Sequence, residues 1–163
     1  MSLRASRPDD EPFLRDVYVA YRWEEMEASG WPQPVRLAFL HDQHRIQDLH
    51  YRRNYEGAAF AVVEVGGERA GRLYLHRTNS DLRIVDVALM PTFRNRGIGT
   101  ALLEAILDLG GTLGVATVSI HVEQSNPALR LYERLGFRKV ELRGIYHLLE
   151  RTAAPEAQLK TAS

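Results

Sequence analysis

Residues 82–100, LRIVDVALMPTFRNRGIGT, constrain the fold more than any other stretch of the chain. An apolar run from Ile84 to Met90 meets Pro91, and the turn Arg94-Asn95-Arg96-Gly97-Ile98-Gly99-Thr100 follows. The next residues, Ala101 to Leu107, have helical periodicity. A strand that feeds a glycine turn opening a helix makes a phosphate site, because the first-turn amides lack partners inside the helix and the dipole is positive there. Glycines let the backbone approach the ligand, and arginines add positive charge. The loop is expected to hold a phosphate, in particular a pyrophosphate.

Two other phosphate loops are excluded by spacing. No lysine follows Gly99, as a P-loop requires, and Leu102 stands where the dinucleotide fingerprint needs a third small residue. A second segment, VATVSIHVEQSNPALRLYERLGF at 115–137, carries a further pattern. Val118, Ile120 and Val122 alternate with Ser119 and His121, which predicts a strand over 115–122. Asn126-Pro127 then reads as a helix start, Leu131, Tyr132 and Leu135 share one face, and Gly136 stops the helix. Phe137 opens another strand.

Arg-x-x-Gly-x-Gly after a strand, followed by Asn-x-x-x-x-Leu-Tyr-x-x-x-Gly-Phe, resembles the two signatures of the GNAT superfamily of N-acetyltransferases. The resemblance lies within 82–138, about a third of the chain. It implies an α/β fold with a mixed, mostly antiparallel central sheet flanked by helices, and acetyl transfer from acetyl-coenzyme A to a primary amine. The acceptor class is a small molecule, an amino acid or a peptide. The backbone of Asn95, Arg96, Gly97, Ile98, Gly99 and Thr100, with Arg94, would hold the pyrophosphate. Main-chain groups of Val87, Ala88 and Leu89 would take the pantetheine arm, with the Leu89 amide as oxyanion contact.

By the same resemblance Tyr132 would protonate the departing thiolate. A phenol of pKa ~10 is protonated at neutral pH and can donate to a thiolate whose acid has a pKa of roughly 8.5. A tyrosine beside two leucines also fits a core position. Asn126 stands six positions before Tyr132, one fewer than in many members, and it fits coenzyme contact or helix capping alike. His121, where some members place a catalytic glutamate, is the candidate base, and a hydrogen-bonded structural histidine is the alternative. Glu123 is a second candidate, Asp86 and Glu64 are weaker ones, and an ordered water chain would also serve. Acceptor recognition would fall to the first two helices, the Gly30-Trp31-Pro32 loop and the late strands. Glu24, Glu25 and Glu27 suit an ammonium, while His44, His50, Tyr51 and Arg72 suit a carboxylate.

The rest of the chain fits this layout. Residues 58–65 and 69–76 read as strands joined at Gly66-Gly67, and with 82–90 they form an antiparallel meander. Asp9 or Asp10 would cap a first helix that turns Phe13, Val17 and Ala20 inward. A second helix, about 35–55, would bury Leu37, Leu40, Ile46 and Leu49. Residues 138–150 supply the last strands.

The formal net charge is zero, so neither nucleic acid nor an acidic membrane surface is an expected partner. No apolar stretch approaches the ~20 residues of a membrane helix, and the N-terminus lacks the core of a secretory signal. The 163 residues suit one domain over 1–151, with 152–163 as a flexible tail. The chain has no cysteine, which suits the cytoplasm and excludes disulfides and cysteine-ligated metal; no metal is expected. It also excludes a cysteinyl thioester, leaving direct attack by the amine in a ternary complex. The other readings are a non-catalytic coenzyme A-binding sensor and a nucleotide-binding α/β domain. A homodimer, common among relatives, is compatible with the sequence.

Overall fold

A computed structural model of the chain describes residues 1–153. Its strands are β1 (Ser2–Ala5), β2 (Ala59–Val65), β3 (Glu68–Arg77), β4 (Asp81–Leu89), β5 (Thr117–Glu123), β6 (Arg138–Arg143) and β7 (Tyr146–Thr152). The helices are α1 (Glu11–Glu27), α2 (Gln33–Asn54), α3 (Ile98–Leu113) and α4 (Leu129–Arg134). The strands form one sheet in the order β1-β2-β3-β4-β5-β7-β6. β4 pairs with β5 in parallel, while β1 with β2 and β7 with both β5 and β6 are antiparallel. The expected mixed, mostly antiparallel α/β fold is the observed one.

The chain separates into two compact units, Met1–Tyr74 with Asp86–Arg96, and Leu75–Val85 with Gly97 onward. In the first unit, α1 buries Phe13, Leu14, Val17 and Tyr18, and the first three pack with Val62 and Ala88. Each such side chain contributes roughly 1.5–3 kcal/mol by leaving water. The β2–β3 turn is the expected one, with Gly66 and Gly67 at φ of 59° and 81°. Such left-handed pairs match the twist of the strands they join. Strands β3 and β4 close up at Gly71, where a Cβ would run into the Ala88 carbonyl oxygen.

Three expectations for this unit are corrected, and one strand is added that had not been expected. Strand β1 was not legible: its four residues pair with Ala61–Glu64, far along the chain. Asp10 precedes α1, but its carboxylate turns back to the amide of Arg7 at 2.8 Å and to Arg4, so it does not cap α1. On α2 only Leu40 and His44 are buried; Leu37, Ile46 and Leu49 stay exposed. Ala20, expected inward on α1, is half-buried, and Leu14 and Tyr18 complete the buried face instead.

In the second unit, α3 buries Leu102, Leu103, Ile106 and Leu107. A Cβ at Gly110 would stand 2.8 Å from Val118 Cγ2, so helix and strand approach more closely there than a side chain allows. Val118 therefore faces α3, and by strand alternation Thr117, Ser119, His121 and Glu123 lie on the other face of β5. Helix α4 starts at Leu129, later than Asn126-Pro127 suggested, because residues 127–128 form a turn first. Gly136, at φ 91°, terminates it as expected. Of the expected tail, Thr152 ends β7 and Ala153 is buried; residues 154–163 lie outside the described residues.

Candidate active site

The glycine turn has the geometry its sequence implies. Strand β4 ends at Leu89, a single turn of 3-10 helix spans Pro91–Phe93, and Asn95 and Gly97 then take left-handed φ values of 59° and 76°. Gly97 caps α3, whose first bond runs from the Ala101 amide to the Gly97 carbonyl at 3.1 Å. The amides of Ile98, Gly99 and Thr100 therefore precede the first intrahelical donor and point out of the helix end. A Cβ at Gly97 would meet no atom within 4 Å, so the space over this residue is open. These features fit a pyrophosphate bound on backbone donors.

The arginines beside the turn shape it. Arg94 Nε donates to the Leu89 carbonyl at 3.1 Å, and Arg96 lies over the Phe93 ring at 5.2 Å while Nη1 reaches the Thr92 carbonyl at 3.4 Å. Their charge stays at the loop while part of each guanidinium folds it. On β4, Ala88 is buried. Asp86 is ion-paired with Arg72, which is 2% exposed and also donates from Nη2 to Gln47 at 3.0 Å. Burial pushes the Asp86 carboxyl up, opposed by Arg72 and the Val87 amide. With its charge engaged by Asp86, Arg72 is not an exposed carboxylate reader. Glu64 is likewise paired, with Arg4 at 3.2 Å.

In the second unit, Tyr132 on α4 is buried and packs edge-on against Phe137 at 5.7 Å. Asn126 Oδ1 accepts from the Ala128 amide at 2.9 Å, so its side chain stabilises the turn leading into α4. His121 is on the exposed side of β5, and its Nδ1 is 3.1 Å from Arg83 Nη1. Partial burial and the nearby Arg83 and Arg143 hold its pKa below the usual histidine value, against Glu141. Arg83 carried no signal in the sequence. Its relation to His121 depends on the β4–β5 register, which pairs Arg83 with Ser119.

Among the acceptor-side residues of the first unit, His44 is buried beside Tyr18 with ring centroids 5.6 Å apart. Burial first, then Arg72, pushes its pKa down to about 4. Trp31 stacks edge-on against Phe39 at 5.4 Å, and Arg36 lies 4.8 Å over the Trp23 ring, so both tryptophans have packing partners.

A mixed sheet whose fourth strand feeds a glycine-opened helix fits a coenzyme A-dependent acyltransferase. The chain belongs to the acetyltransferase (GNAT) family, whose sequence model matches residues 16–137. It is 31% identical over 127 residues to the [ribosomal protein bS18]-alanine N-acetyltransferase of Salmonella typhimurium, covering 77% of this chain and 78% of that one. It is 33% identical over 113 residues to an N-alpha-acetyltransferase of Sulfurisphaera tokodaii, covering 61% and 67%. Among solved structures, the PaiA N-acetyltransferase of Thermoplasma acidophilum in complex with coenzyme A aligns with a TM-score of 0.69 at 15% identity, over 93% of this chain and 98% of that one. The chain is thus an N-acetyltransferase, with acetyl-coenzyme A as cosubstrate. This sets aside the non-catalytic and nucleotide-binding readings. Among the described residues, no helix is long and apolar enough to cross a membrane.

Proposed function

We propose that this enzyme acetylates the α-amine of a peptide or protein N-terminus by direct attack in a ternary complex. The observation that carries the coenzyme site is the left-handed Gly97 at the head of α3, under open space and with three amides directed outward. Those amides, flanked by Arg94 and Arg96, hold the pyrophosphate. Acetyl-coenzyme A supplies the acetyl group as a thioester, and the main chain of Val87, Ala88 and Leu89 binds its arm. Tyr132 donates its phenolic proton to the leaving sulfur. The chain has no cysteine to carry the acetyl group, which supports direct attack.

The acceptor class is supported by the names of the relatives, one acting on an alanine of a ribosomal protein and the other an N-alpha-acetyltransferase. The test begins with calorimetric titration by acetyl-coenzyme A, with NAD and ATP as comparators. Selective micromolar binding is expected; preference for NAD, or no binding, overturns the coenzyme site. Peptides with free and blocked N-termini, and small amines, then address the acceptor. Turnover of a blocked peptide through its lysines, at the rate of the free one, overturns the α-amine reading. Ping-pong kinetics would overturn the ternary complex.

A further inference from the structure

The parallel ladder of β4 and β5 runs from Asp81↔Thr117 to Ile84↔Ile120, and β5 continues to Glu123 against β7. Beside the β5 face turned away from α3, five side chains of β4 and β5 are joined in a line. Ser119 Oγ donates to Asp81 Oδ2 at 2.6 Å, and Arg83 Nε donates to Ser119 Oγ at 2.6 Å. Thr117 Oγ1 donates to the other Asp81 oxygen at 2.8 Å, and Arg83 Nη1 reaches His121 Nδ1 at 3.1 Å.

The direction of every proton in this line follows from chemistry. A carboxylate only accepts, so Ser119 spends its one proton on Asp81 and meets Arg83 with a lone pair. A guanidinium only donates, so Nδ1 of His121 accepts and carries no proton. A neutral imidazole in that state holds its proton on Nε2.

We propose that Arg83 is a positioning residue that holds His121 as a neutral Nε2–H imidazole, so that His121 offers a hydrogen-bond donor and not a base. The inference rests on the reading of His121 as a site residue. Its Nδ1 can take a proton only after Arg83 withdraws, and Arg83 is anchored to Asp81 both through Ser119 and directly at 3.7 Å. The proton of the acceptor ammonium then leaves through Glu123 or water, while His121 Nε2–H is free to donate to an oxygen of the acceptor. The charged groups acting on the ring are Arg83 from β4 and Arg143 and Glu141 from β6.

The experiment is a histidine-ring NMR titration of the ¹⁵N-labelled full chain between about pH 4.5 and 8.5, the range in which imidazoles titrate. The His121 signals are assigned with His121→Gln. In the wild type, His121 is expected to titrate below ~6.5 with Nδ1 unprotonated, and Arg83→Met should raise the midpoint by at least about half a pH unit. An unchanged midpoint, with the signals of the other histidines intact, overturns the proposal. If Arg83→Met disturbs those other signals, Ser119→Ala decides. It removes the Ser119 bridge and leaves only the direct Arg83–Asp81 ion pair at 3.7 Å, so the midpoint should move the same way by a smaller amount, and no movement overturns the proposal. A failed coenzyme titration beside a shifted His121 midpoint would remove the site reading and leave the Arg83 clamp standing.

Discussion

Asp10 accepts two hydrogen bonds from Arg4, from Nη1 at 2.7 Å and from Nη2 at 2.9 Å, and so ties β1 to the start of α1. Arg69 adds a third contact at 3.4 Å and the Arg7 amide a fourth at 2.8 Å. These donors, Arg4 foremost, hold the Asp10 carboxyl well below the usual carboxylate range. A depressed carboxyl contributes stability that is complete above its unfolded pKa, ~3.9, and is lost as pH falls through the folded value. Asp10→Asn should therefore destabilise by on the order of 2 kcal/mol at pH 7. In urea denaturation the difference from wild type should shrink as the pH falls below ~4. A difference that does not shrink between about pH 4 and pH 2 would assign the loss to packing.

His44 governs a different window. Its folded pKa, pushed down to about 4 by burial and Arg72, lies below the unfolded value. The native state therefore favours the neutral ring, and its contribution is complete above ~6.5 and lost as pH falls through the folded value. Wild type should lose stability steadily between these limits. His44→Leu should flatten that part of the pH–stability curve, as measured by chemical denaturation. An equal slope in both proteins would place the titration elsewhere.

Arg72 and Asp86 form a pair in which Arg72 is 2% exposed. Removing one partner leaves a charge without compensation, so Asp86→Ala should cost about 3–5 kcal/mol. The double substitution Arg72→Met with Asp86→Leu should cost clearly less, because neither desolvated charge remains. Equal losses for single and double variants would show that the Arg72 guanidinium is well solvated without Asp86.

Gly97 at φ 76° occupies a region where a β-branched side chain is strained. Gly97→Val should raise KM for acetyl-coenzyme A by tenfold or more, corresponding to ~1.4 kcal/mol of binding, with a smaller change in KM for the acceptor. The check is steady-state kinetics with each substrate varied in turn. Unchanged affinity for the coenzyme would move the pyrophosphate away from this turn.

Tyr132→Phe keeps the ring against Phe137 and removes the phenol. The expected result is a kcat lower by ~10²-fold or more, with coenzyme binding retained. A kcat equal to wild type across neutral pH would make Tyr132 a packing residue alone.

The chain's local patterns determined the β2–β3 hairpin, β4, the glycine turn, α3 and the Gly136 stop. Each rests on contacts between near neighbours in sequence: alternation, 3.6-residue periodicity, and glycines where φ must be positive. They also placed Gly97 and the α3 amides, because a glycine turn into a helix is built almost wholly from consecutive backbone. Strand β1 was not legible, since four residues, Ser2–Ala5, become a strand only when Ala61–Glu64 stand beside them. On α2 the apolar residues were misjudged because the inward side is shared by Leu40 with His44, and hydrophobicity alone does not mark a buried imidazole. The line from Asp81 through Ser119 and Arg83 to His121 needed the parallel register of β4 and β5, which brings residues more than thirty positions apart to within hydrogen-bonding distance. Periodicity in a single strand states which face a side chain takes; only pairing between strands decides which side chain it meets there.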